Sequence, residues 1–124
     1  MDFKGIIIEE SLKDKSILKD SLIKILKTDI EKVISEHHTP WLKKWTLHTI
    51  EVREDRALDI AEKIAKALDK DHNWYADYKN DEYHFIIFKS KIFCVKLDSK
   101  REYEAVKKYG LKLGIPEHQL DFDK

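Results

Sequence analysis

The sequence predicts an α+β domain, a mainly antiparallel sheet with two or three helices packed on one face. Three observations carry this expectation. From Trp74 to Leu97 the chain has its densest run of aromatic and β-branched residues, interrupted by turn-like residues, which reads as a three-strand meander. Arg56 to Leu68 and Ser99 to Tyr109 repeat apolar residues at helical spacing. Strand-like runs follow one another with only tight turns between them, which favours antiparallel pairing over crossover units. A length of 124 residues fits a single α+β domain, 1–124.

Taken in order, Phe3 to Glu10 holds Ile6-Ile7-Ile8 and is apolar on both faces, as a well-buried strand is. Ser11 and Asp14 are placed to open a short helix through Asp20, with Leu12, Ile17 and Leu18 inward. Residues 21–36 read in two ways. Thr28-Asp29-Ile30-Glu31 fits a capping box with helical spacing after it, while Ile23, Ile25 and then Ile30 to Ser35 fit a strand. The strand reading is preferred, because Trp45 to Val52 is a convincing strand that needs a neighbour. Pro40 ends any helix before it, so His37 to Leu42 is expected as a loop. Asp55 is a fitting N-cap for a helix from Arg56 to Leu68, with an inward stripe of Ala57, Ile60, Ala61, Ile64 and Leu68. Ser99-Lys100-Arg101-Glu102 is a capping box for a second helix, which Gly110 is placed to end. Pro116 to Leu120 fits one short turn, leaving Phe122 to dock.

Within the meander, Asn80-Asp81 fits a two-residue turn. That turn sets Asp77 opposite His84, on a face with Tyr75, Lys79, Glu82 and Ile86. Trp74, Ala76, Tyr78, Tyr83, Phe85 and Ile87 fall on the other face. A three-residue loop, Lys89-Ser90-Lys91, keeps that second face uniformly apolar by adding Phe93, Val95 and Leu97.

Composition excludes some classes. Lys plus Arg is 24 and Asp plus Glu is 24, so the formal net charge is zero, with both signs interleaved. This argues against a basic nucleic-acid binder and against an anionic-membrane binder. Lys43, Lys44, Lys89 and Lys91 near aromatic strands are the remaining nucleic-acid feature, with no RNA-binding motif beside them. The sole cysteine, Cys94, has no intrachain disulfide partner and is expected as a buried thiol on the face of His84. No apolar run approaches the roughly 20 residues of a membrane span, and a cytoplasmic location is expected.

No motif specifies a reaction. The catalytic candidates are His84 and Asp77, a carboxylate–imidazole pair of the kind that builds a general base, with His48 from strand 45–52. The ligand-binding candidates are Trp41, Trp45 and Tyr75, aromatic anchors of the type that line binding sites. His37, His38, His48, His72, His84 and His118 fall in no metal-ligand spacing, so no metal site is assigned, and no cofactor motif is present.

Asn73 to Asp77, Tyr83 to Phe88, Gly114 to Phe122, Thr39-Pro40-Trp41 and Trp45-Thr46-Leu47-His48 together resemble a family of small uncharacterised prokaryotic proteins. The resemblance covers nearly the whole chain. It implies a free-standing prokaryotic domain and carries no activity with it.

The expected function is a small cytoplasmic binding or accessory module for a protein or small-molecule ligand, with a homodimer as one arrangement. Its contact surface is expected at the polar face of the meander or at the Trp41 loop. The alternative is a small enzyme using the His84–Asp77 pair, which requires His48, Asp77 and His84 to converge in one pocket.

Overall fold

The computed structural model describes residues 1–35 and 39–122. Among them, six strands form one antiparallel sheet and two α-helices pack on it. The strands are β1 (Phe3–Ile8), β2 (Ile23–Lys32), β3 (Lys44–Val52), β4 (Tyr75–Lys79), β5 (Tyr83–Phe88) and β6 (Ile92–Lys96). The helices are α1 (Ala57–Ala67) and α2 (Lys100–Lys112). The sheet order is β2-β3-β1-β4-β5-β6, which places the N-terminal strand at the centre between a hairpin and a meander. The expected α+β class, with an antiparallel sheet, is what the chain forms. His37 and His38 lie outside the described residues.

Within the ambiguous stretch 21–36, Ile23–Lys32 forms β2. It pairs with β3 from Ile23↔Val52 to Lys32↔Lys44, with a register shift between Ile25 and Lys27. Asp14 accepts a hydrogen bond from the Ser16 N–H and opens the expected short helix, which is a 3-10 turn, Lys15–Lys19. The stripe predicted for α1 is buried as expected, with Ile60, Ala61, Ile64 and Leu68 fully so. Burial of each large aliphatic side chain contributes about 1.5–3 kcal/mol. Asp55 does not cap α1. It sits in a 3-10 turn, Glu54–Arg56, and pairs with Arg53. Ser99 does cap α2, accepting from the Glu102 N–H. Gly110 does not end α2. The helix runs on to Lys112, and Gly114, at φ +92°, takes the left-handed position after it.

The meander differs from the expected register in two places. The Asn80 N–H donates to the Tyr83 carbonyl, so Asp81-Glu82 forms the two-residue turn. The Asn80 side chain accepts from the Glu82 and Tyr83 N–H groups, closing that turn from its first position. Asp77 therefore opposes Ile86, and Lys79 opposes His84. The Phe88 N–H donates to the Lys91 carbonyl, so the second loop has two residues, Lys89-Ser90. His84 then opposes Val95, and Cys94 opposes Phe85. Cys94 is exposed and on the face away from His84, contrary to expectation, because this loop is one residue shorter.

The two helices cover opposite faces of the sheet rather than one face. α1 packs with Ala76, Tyr78, Phe85 and Ile87. α2 packs with Ile86, Phe88 and Val95 through Tyr103 and Val106. The strand pattern makes both faces of the meander apolar, so each takes its own helix. α2 covers only the β5–β6 side of its face, leaving Ile6 of β1 at 42% exposed. Among the described residues no helix is long and apolar enough to cross a membrane.

Candidate functional site

The uncovered part of the α2 face holds a groove of about 450 Å³, within the usual size range of small-molecule sites. Three central strands form its floor. β1 supplies Ile6 and Ile8, β4 supplies Tyr75, Asp77 and Lys79, and β5 supplies His84. Trp45 and Trp74 line it as well, with ring centroids 5.5 Å apart. The C-terminal segment adds His118, Gln119, Asp121 and Phe122. That segment is held by buried Leu120 and Phe122 and by the Tyr75 hydroxyl, which donates to the Gln119 carbonyl. Burial, and then nearby Asp77, push the Tyr75 hydroxyl well above the usual tyrosine range, so it remains a donor.

Asp77 and His84 meet as diagonal neighbours on this face, two residues off direct opposition. His84 Nε2 lies 2.7 Å from Asp77 Oδ2, and Nδ1 lies 3.0 Å from the Tyr103 hydroxyl. An ionised carboxylate only accepts, so Nε2 carries a proton and donates to Asp77. In the neutral ring Nδ1 accepts from the Tyr103 hydroxyl, and one tautomer satisfies both contacts. His84 is 2% exposed, whereas the Asp77 side chain is 30% exposed. The group presented to the groove is therefore the carboxylate, with the imidazole behind it as its orienting partner.

His48 does not join this pair. β1 pairs Ile7 with His48 and Gly5 with Tyr78, which puts His48 on the α1 face, away from His84. There its Nδ1 is 2.8 Å from the Thr28 hydroxyl and its Nε2 is 3.0 Å from Glu9 Oε1. The expected convergence of His48, Asp77 and His84 does not occur, because sheet parity separates them. Of the aromatic candidates, Trp45 and Tyr75 line the groove. Trp41 does not: it is half exposed and stacks on His72, with centroids 3.9 Å apart.

His118, Asp121, Phe122 and Lys79 line the groove without having been singled out as site residues. The signal for the first three was the predicted docking of Phe122, which brings its neighbours with it. The indole N–H of Trp74 is buried and has no acceptor among the described residues. Also among the described residues, no three His, Cys, Asp or Glu side chains are grouped to hold a metal ion. Comparison of the chain with protein-family models, with curated proteins and with solved structures finds no match.

Proposed function

We propose that the chain is a small cytoplasmic ligand-binding module, and that the groove on the α2 face is its binding site. The observation that carries this reading is the meeting, in one concave site, of an oriented carboxylate and several aromatic side chains. Amide NMR spectra recorded against a mixture of small fragments test the proposal. Shifts are expected at the Trp45 and Trp74 indoles, at residues 75–79 and at residues 117–122. Shifts confined to the Trp41 indole or to β2 would overturn it.

With His48 on the α1 face, the enzyme reading that needed His48, Asp77 and His84 in one pocket is not proposed; the Tyr103–His84–Asp77 chain favours a narrower second reading, a small enzyme using the His/Asp pair without His48. Both imidazole nitrogens are engaged, so Asp77 is the group that meets substrate and His84 is a positioning residue. A hydrolytic rate on chromogenic esters that is lost in Asp77→Asn and kept in His48→Ala would support this reading. A rate indifferent to Asp77 would end it.

A further inference from the structure

We infer that the groove takes a small organic monocation, an ammonium or guanidinium group carried on a flat or apolar body. This inference rests on the groove being a ligand site. Asp77 Oδ2 is held by the His84 N–H at 2.7 Å, and Asp77 Oδ1 has no hydrogen-bond partner among the described residues. A carboxylate fixed on one oxygen and open on the other is a pre-oriented acceptor for N–H groups on a cation. Asp121 brings a second carboxylate to the same groove.

The walls are suited to the rest of such a ligand. Tyr75 and Phe122 meet edge to face at 5.2 Å, and Trp45 meets Trp74 in the same manner. Aromatic faces attract cations and stack on flat groups. Lys79 is the opposing charge. It lies two residues from Asp77 on the same face of β4, about 7 Å along the strand. Lys79 is exposed, so it keeps its own hydration while repelling a second positive charge on that side. An anionic ligand would meet the open oxygen of Asp77 on the groove floor, which decides the sign.

Three probes of similar shape separate the terms: benzylammonium, benzyl alcohol and phenylacetate, each titrated into the full chain at low salt and followed by amide NMR. Benzylammonium is expected to bind in the groove at least about tenfold tighter than either of the others, a ratio typical of one charge-assisted contact. Asp77→Asn is expected to remove that preference and leave benzyl alcohol unchanged. The asparagine keeps an acceptor for the His84 N–H, and its dispersed spectrum reports whether the variant folds. Asp121→Asn is the second variant, with a severalfold loss expected for benzylammonium alone. Equal or tighter groove binding by benzyl alcohol or phenylacetate overturns the cation inference while the groove stands as a binding site. Retention of the cation preference in both variants overturns it as well. If none of the three probes shifts groove resonances, the binding reading falls with it.

Discussion

At Gly5, β1 has no room for a side chain against β4, and replacing it with alanine tests the centre of the sheet. A Cβ at Gly5 falls 1.9 Å from the Asp77 carbonyl oxygen, 2.4 Å from Tyr78 Cα and 2.6 Å from Asp77 C. These are backbone atoms of a paired strand, so no side-chain rotation relieves the overlap. The β1–β4 ladder has three residue pairs, Lys4↔Lys79, Gly5↔Tyr78 and Ile6↔Asp77, with Gly5 in the middle. Overpacking of this kind costs about 1–3 kcal/mol. Disturbing one or two ladder hydrogen bonds adds about 0.5–1.5 kcal/mol each. Alanine returns about 0.4–1 kcal/mol by restricting the unfolded chain. The expected net loss is about 3 kcal/mol. Urea unfolding followed by tryptophan fluorescence should show the midpoint falling by about 1–3 M at the usual slopes. Gly110→Ala is the internal control. Its Cβ falls 2.6 Å from Leu120 Cδ2, a smaller overlap and one with the far end of a side chain. Helix propensity there favours alanine by about 1 kcal/mol and offsets part of the overpacking of buried Leu120, so a loss smaller than at Gly5 is expected. A Gly5→Ala midpoint within about 0.3 M of the parent would refute the reasoning, as would equal losses at both glycines.

Three further outcomes are expected. A double-mutant cycle with Asp77→Ala and His84→Leu, read by urea unfolding, should give a coupling of about 1–2 kcal/mol, and a coupling under about 0.5 would deny the pair a shared hydrogen bond. Leu120→Ala empties a fully buried site under the C-terminal segment and should cost about 2–5 kcal/mol. It should also weaken any groove ligand, and a variant that keeps full affinity would remove that segment from the site. The Leu22 N–H and Lys63 hold the Asp20 carboxyl below its usual range. A depressed carboxyl contributes stability above its unfolded pKa of about 3.9, and that contribution is lost as pH falls through the lower folded value. Asp20→Asn should therefore flatten the acid limb of the stability curve, lowering stability by a constant amount above about pH 5 and matching the parent below the folded pKa. A parallel downward offset at all pH values would show that the loss is not electrostatic.

Much of the secondary structure was legible because local signals acted alone. The α1 stripe, the Ser99 cap and the strand from Trp45 to Val52 each follow from spacing or from one side chain. Residues 21–36 carried helix and strand signals together, and the need of β3 for a neighbour decided between them. Gly110 was misread because glycine near a helix end usually supplies the left-handed residue. Here it supplies room for Leu120, a contact made across the chain and invisible locally. Half of the site was legible for the same reason as the strands. Asp77, His84 and Tyr75 lie on one meander, whose turn fixes their face. The other half comes from the C-terminal segment, which reaches the groove through the burial of Leu120 and Phe122.

The two register differences in the meander had opposite consequences, and parity explains both. Between β4 and β5 the pairing moved by two residues, from Asp77↔His84 to Asp77↔Ile86. Every side chain kept its face, so Asp77 still reaches His84, now along the diagonal. Between β5 and β6 it moved by one, from Phe88↔Ile92 to Ile87↔Ile92. That step turned Phe93 and Val95 onto the His84 face and Cys94 away from it. Uniform apolarity of one face was the argument for the longer loop, and it holds only for a sheet buried on one side. In β5, residues His84 to Phe88 are all buried, because α1 covers one face and α2 the other. Alternation along such a strand no longer marks inside from outside, so loop length alone sets the register. The same two-sided burial confines the groove. An open floor is left where α2 stops short of β1 and β4, and Asp77 stands on that floor with His84 buried behind it.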